Sequence, residues 1–136
     1  MKYLGIDYGE KNVGIAVSDD GGNLAFAKTV LKNDKNLPEN VLRICEEEKI
    51  EAIVLGESLD FAGKPNPIMK DILNFKGKLV GAFSHSENAP KIPIYLEPEF
   101  LTSAEAERLQ GKTNKLDASA AALILKSYLD KNKEDL

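Results

Sequence analysis

Asp7 is the first residue that could do chemistry. It is a carboxylate set inside an apolar segment, Leu4-Gly5-Ile6-Asp7-Tyr8-Gly9, with glycines two residues to either side that let another group come close to the backbone. A buried carboxylate is costly unless it is paired, hydrogen-bonded or bound to a metal. Further acids recur where chain segments should end. Glu57 follows the apolar run 52–56, Glu97 and Glu99 follow the run 92–96, and Asp117 stands in the first turn of the final amphipathic segment. Carboxylates drawn from separate elements are what two-metal phosphodiester hydrolysis requires. Mg²⁺ or Mn²⁺ takes hard oxygen ligands and keeps some waters, and two ions about 3.5–4 Å apart activate the attacking water and stabilise the leaving oxygen. Each acid also has an ordinary structural use. Asp7 could pair with Lys11 or cap a turn, Asp117 could sit in the field of its helix dipole, and Glu57 and Glu97 could be solvated strand ends.

Those acids need elements to hold them. Over residues 2–8 and 12–18 apolar side chains alternate, with Leu4, Ile6 and Tyr8 on one face and Val13, Ile15 and Val17 on one face, joined by the turn Gly9-Glu10-Lys11-Asn12. After Gly21-Gly22-Asn23, residues 24–31 read as a third strand with Leu24, Phe26 and Val30 turned inward. Strands joined this tightly should be antiparallel neighbours. Pro38 suits a helix start, and the apolar stripe Val41, Leu42, Ile44 and Cys45 predicts a helix over 40–49. Ala52-Ile53-Val54-Leu55-Gly56 is apolar throughout, as in a strand covered on both faces, and should lie parallel to the first strand. Pro67 opens a second helix with Ile68, Ile72, Phe75, Leu79 and Phe83 on its inner face. Residues 92–96 give a fifth strand, Thr102-Ser103-Ala104-Glu105 fits a capping box for a helix to about 109, and the last helix spans about 116–130 with Ala120, Leu123, Ile124 and Tyr128 inward. The fold class is α/β: a mixed five-stranded sheet, three antiparallel strands followed by parallel crossovers, flanked by helices.

Composition narrows the possibilities. The chain has 136 residues, 43% hydrophobic and 29% charged, which is ordinary for one soluble domain spanning 1–136. No apolar run is long enough to cross a membrane, and Met1-Lys2 leads straight into strand pattern without a signal peptide, so a cytoplasmic protein is expected. Cys45 is the sole cysteine and excludes an intrachain disulfide. The net charge of −4 does not advertise a nucleic-acid binder, but acidic metal ligands are offset by their bound cations. His85, the single histidine, lies in a polar loop and reads as a surface residue.

Three stretches resemble the YqgF/RuvX family of Holliday junction resolvases, within the RNase H-like superfamily: LGIDYGEKNVGIAVSD at 4–19, EFLTSAEAERL at 99–109 and KLDASAAALILKSYLD at 115–130. Their order and spacing carry the resemblance across essentially the whole chain. It implies an RNase H-like sheet and a metal-dependent nuclease acting on structured nucleic acid, either branched DNA or the 5′ end of small-subunit pre-ribosomal RNA, as a monomer or homodimer. By motif match the family's acids fall on Asp7, Glu99 and Asp117, with Glu57 as a further candidate ligand for Mg²⁺ or Mn²⁺. Lys11, Asn12, Lys112 and Lys115 fall where the nucleic-acid backbone is expected. The sequence also departs from the pattern. The family's Asp-Glu-Arg is Pro98-Glu99-Phe100, an arginine position is Asn12, the strand-four Gly-Leu-Pro is Gly56-Glu57-Ser58, and the lysine-rich loop shrinks to Lys112 and Lys115. Backbone neutralisation dominates nucleic-acid affinity, so substrate should bind more weakly or elsewhere on the surface. Two other functions compete: a non-cleaving nucleic-acid-binding or ribosome-assembly factor on the same fold, and a phosphotransferase or ATPase of the actin-like superfamily. The last normally needs two such domains.

Overall fold

Alternation along the first strands sorts their side chains onto two sheet faces, and that sorting decides where every acid points. The structure, a computed structural model, describes residues 1–84, 91–100 and 114–134, with the side chains of 100, 114–117 and 133–134 outside the description. Its elements are β1 Tyr3–Tyr8, β2 Asn12–Ser18, β3 Ala25–Lys32, α1 Leu37–Glu48, β4 Ala52–Leu59, α2 Met69–Ser84, β5 Ile94–Phe100 and α3 Asn114–Glu134. The sheet order is β3-β2-β1-β4-β5. β1–β2 and β2–β3 are antiparallel, and β4 lies parallel to β1 and to β5. This is the expected mixed sheet, with the fourth strand beside the first.

One face carries Leu4, Ile6, Val13, Ile15, Ile53 and Leu55, buried beneath α1 and α2 in the larger core. The other carries Ala16 and Val54 beneath Ala121, Ile124, Leu125 and Leu129 of α3. Gly5 and Gly56 make that second contact close. A Cβ on Gly5 would stand 2.8 Å from Leu125 Cβ and 3.0 Å from the Ala121 carbonyl oxygen, and one on Gly56 2.7 Å from Ile124 Cδ1. Both helix layers therefore rest on a sheet whose small and large residues already alternate. Cys45 is core, 1% exposed, and burial pushes its thiol up to about 12. Among the described residues no helix is long and apolar enough to cross a membrane.

Several expectations need correction. β4 runs on to Leu59 and β5 begins at Ile94 and runs to Phe100, so Glu57, Glu97 and Glu99 lie within strands rather than beyond their ends. The two strands pair in register from Ile53–Ile94 to Leu59–Phe100, and this continued ladder outweighs the weak strand preference of Glu and Pro. Phe26 is 51% exposed because β3 is an edge strand, part of which α1 leaves uncovered, and Leu24, 58% exposed, lies before that strand begins. Leu123 is also exposed: α3 turns Ile124 and Leu125 toward the sheet, which carries Leu123 to the solvent side. α1 starts three residues earlier than predicted, α2 starts at Met69 rather than at Pro67, and α3 extends at both ends. His85 and the capping-box helix lie outside the described residues.

Candidate active site

Asp7 follows the Ile6–Leu55 pair that ends the β1–β4 ladder. It alternates with Gly5, which faces Ala121 and Leu125, so Asp7 belongs to the α3 face of the sheet. It is half-buried rather than buried. On β5, Glu97 is opposite Gly56 and Glu99 is opposite Ser58. Gly56 faces Ile124 of α3, and Glu97 bonds to α3 side chains, so Glu99, two residues on, shares that face and lies nearer the same sheet edge. Asp117 lies in the first turn of α3, one helical turn before Ala121. β1, β5 and α3 thus bring Asp7, Glu99 and the backbone of Asp117 to one end of one face.

The two glutamates of β5 differ in their surroundings. Glu97 is 3% exposed, and its Oε2 accepts from Ser127 Oγ at 2.9 Å and from Lys131 Nζ at 2.7 Å. Its charge is already matched, and it pins α3 to β5. Glu99 has no lysine or arginine beside it among the described residues, and burial pushes its carboxyl above the ordinary value. A carboxylate desolvated without a cation is a group that a divalent ion would fit. Among the described residues no three potential ligands come together, and the Asp117 side chain is outside that set.

Glu57 is placed differently. It alternates with Gly56 and so shares the α1–α2 face with Leu55, away from Asp7 and Glu99. Lys11 and Asn12 sit at the β1–β2 turn beyond Asp7, with Lys11 exposed and its carbonyl accepting from the Asn33 backbone N–H at 2.9 Å. Lys112 and the Lys115 side chain lie outside the described residues. Two polar residues near the site have no counterpart in the sequence reading. Ser58, opposite Glu99, accepts through Oγ from Asn66 Nδ2 at 3.0 Å, and both are buried. The chain after β4 folds back to make this contact, Leu59 bridging to Pro65. An asparagine just ahead of Pro67, in the turn before α2, was the available signal.

Comparison with known proteins gives the family. The family described as "RuvX: Holliday junction resolvase" matches residues 1–131. The chain is a member of the RuvX family. A relative from Nitratidesulfovibrio vulgaris, "Putative pre-16S rRNA nuclease", is 37% identical over 141 residues, covering 96% of this chain and 94% of its own length. A protein of the same name from Thermoanaerobacter pseudethanolicus is 32% identical over 144 residues, covering 98% and 99%. RuvX membership makes this chain a nuclease. Among solved structures, RuvC of T. thermophilus in complex with a Holliday junction substrate superposes with a TM-score of 0.60 at 18% identity, covering 98% of this chain and 96% of that one. The fowlpox virus resolvase, also solved with junction DNA, gives 0.52 at 15% identity, covering 97% and 99%. At these identities the likeness is one of fold, RuvC-like and RNase H-like.

Proposed function

We propose that this RuvX chain is a single nuclease domain over 1–136 that hydrolyses phosphodiester bonds in structured nucleic acid in the cytoplasm, at a divalent-metal site made by Asp7, Glu99 and Asp117. The observation that carries the reading is the contrast on β5: Glu97 is neutralised by Lys131, while Glu99, on the same face and nearer the end of β1, is desolvated with no cation beside it among the described residues. Mg²⁺ or Mn²⁺ held there would supply an activated water and stabilise the leaving oxygen. Asp7, on the central strand, fixes one side of the site, and Glu99 comes to the same face of the sheet from β5. Asp117 comes from the helix that Gly5 and Gly56 let sit close to the sheet. Glu57, on the opposite face, is outside this set. Lys11 is placed to meet a phosphate at the rim as a point charge.

Pre-ribosomal RNA of the small subunit is the proposed substrate, because the named relatives align over nearly their whole lengths. The test incubates wild type and Asp7→Asn with Mn²⁺ and a panel holding a pre-16S 5′ end and a four-way DNA junction. Metal-dependent cutting of the RNA by wild type alone is expected. Cutting of the junction alone transfers the reading to DNA, and binding of either without cutting by wild type makes the chain a binding factor.

A further inference from the structure

On the sheet face opposite Asp7, the end of β1 opens into a cleft of about 520 Å³ between Tyr8, the start of α1 and the side of α2. That volume is in the range of ligand sites. The face of the cleft toward the sheet is aromatic: the Tyr8 ring lies 5.1 Å from that of Phe75, tilted by 34°, and Tyr8 is only half-buried. Two amides, Asn33 and Asn74, line it. Asn33 gives one Nδ2 hydrogen to the Gly9 carbonyl at 2.7 Å, and its Oδ1 is an acceptor for the cleft. Asp34, Glu39 and Asp71 outnumber Lys35 and Lys78 around it. An aromatic face with acceptors and an acidic majority disfavours a phosphate. It suits a flat group with N–H donors, such as the amino edge of a nucleobase.

Position supplies the second argument. Tyr8 follows Asp7 directly in the chain, and consecutive residues of a strand point to opposite faces. A substrate strand that passes from Asp7 over this end of the sheet reaches the rim of the cleft. We propose that the cleft receives one unpaired nucleobase of the substrate strand next to the bond being cut, stacked on Tyr8. This rests on the nuclease reading above. It assigns the nuclease a single-stranded requirement beside the cleavage point.

Gly81 gives a clean test. It lines the cleft, and a Cβ there would meet nothing within 4 Å. Gly77, one turn earlier in α2, is equally open but does not line the cleft. Replacing either glycine of a helix by leucine should favour the fold. Binding of a mixed-sequence single-stranded RNA hexamer is measured by fluorescence anisotropy in metal-free buffer, with an abasic hexamer as the base-free control. Gly81→Leu should weaken hexamer binding about tenfold, the scale of one lost stacked base, while Gly77→Leu binds as wild type and the abasic hexamer binds all three proteins alike. In wild type the hexamer should also shift the side-chain amide NMR signals of Asn33 and Asn74. Equal binding by the two leucine variants, or unmoved Asn33 and Asn74 signals, overturns the proposal. Since no step needs metal, wild type that binds through the cleft yet never cuts overturns the nuclease reading alone.

Discussion

Lys131 Nζ lies 2.7 Å from Glu97 Oε2 and closes the charge of a carboxylate whose side chain is only 4% exposed, whereas the lysine itself is 58% exposed. The pair is therefore lopsided. Removing the lysine strands a buried anion with Ser127 alone, while removing the anion releases a lysine into water.

The first prediction follows from that asymmetry. Lys131→Ala should destabilise the protein by about 1–3 kcal/mol, the penalty of leaving a buried group without its partner. Glu97→Gln should cost less, because the amide can still accept from Ser127 and carries no charge. Urea unfolding midpoints of the two variants check the order. Equal losses would mean that the bridge acts through charge on the surface only.

The second prediction concerns the seat of α3. A methyl on Gly5 would run into the Leu125 Cβ and the Ala121 carbonyl, both fixed to the helix backbone, so α3 must move. On Gly56 the nearest atom is the tip of Ile124, which can rotate. Gly5→Ala should cost about 1–3 kcal/mol as overpacking, and Gly56→Ala clearly less. Gly5→Ala should also lose cleavage activity in the folded protein, since Asp117 rides on the displaced helix. Thermal melts and cleavage rates per folded molecule test both halves.

The fold was readable because its signals are local. Period-two alternation in β1 and β2 and the all-apolar β4 sort side chains before any tertiary contact is known. The register of β5 was not readable in this way. Glu97-Pro98-Glu99 has poor strand preference, and only the in-register ladder with β4 holds it extended. For the same reason the separation of Glu97 from Glu99 was hidden: Lys131 is 34 residues from Glu97 in the chain, and no spacing rule links them. The resemblance points to Glu99 through its motif, and only the fold shows that this carboxyl is desolvated. The exposure of Phe26 and Leu123 depends on which helix covers which strand, information that neither segment contains.

The third prediction is a pH dependence away from the site. Glu48 bonds to Lys2 at 2.8 Å and to Lys28 at 2.7 Å, and the lysine hydrogen bonds hold its carboxyl at about 2, below the ordinary 4.5. A depressed folded pKa contributes stability that is present above the unfolded value and lost as pH falls through the folded one. The window is therefore about pH 4.5 down to 2. Because the pair is partly solvated, roughly 1 kcal/mol is expected rather than the full shift. Unfolding free energies of wild type and Glu48→Gln should converge across that window. Curves that stay parallel would remove the lysine pair as the cause.

The last prediction joins stability to metal. Burial raises the Glu99 carboxyl above its ordinary value. For an acid with a raised folded pKa, the stability it contributes is present at low pH and lost as pH rises through the folded value. As pH rises without metal, ionising Glu99 thus costs stability, and Glu99→Gln should melt at or above wild type. A divalent ion bound to the native carboxylates should reverse this, stabilising by mass action. Millimolar Mn²⁺ should raise the melting temperature of wild type and do so much less for Glu99→Gln and Asp7→Asn. Both variants should also lose cleavage by at least about a hundredfold, the scale for removing a metal ligand's support. Proton release on adding Mn²⁺ to wild type should accompany the shift, since a raised carboxyl must deprotonate to coordinate. Glu97→Gln is the control: its charge is already answered by Lys131, so its response to metal should match wild type. If Mn²⁺ shifts all four proteins equally, or none of them, Asp7 and Glu99 do not hold the metal.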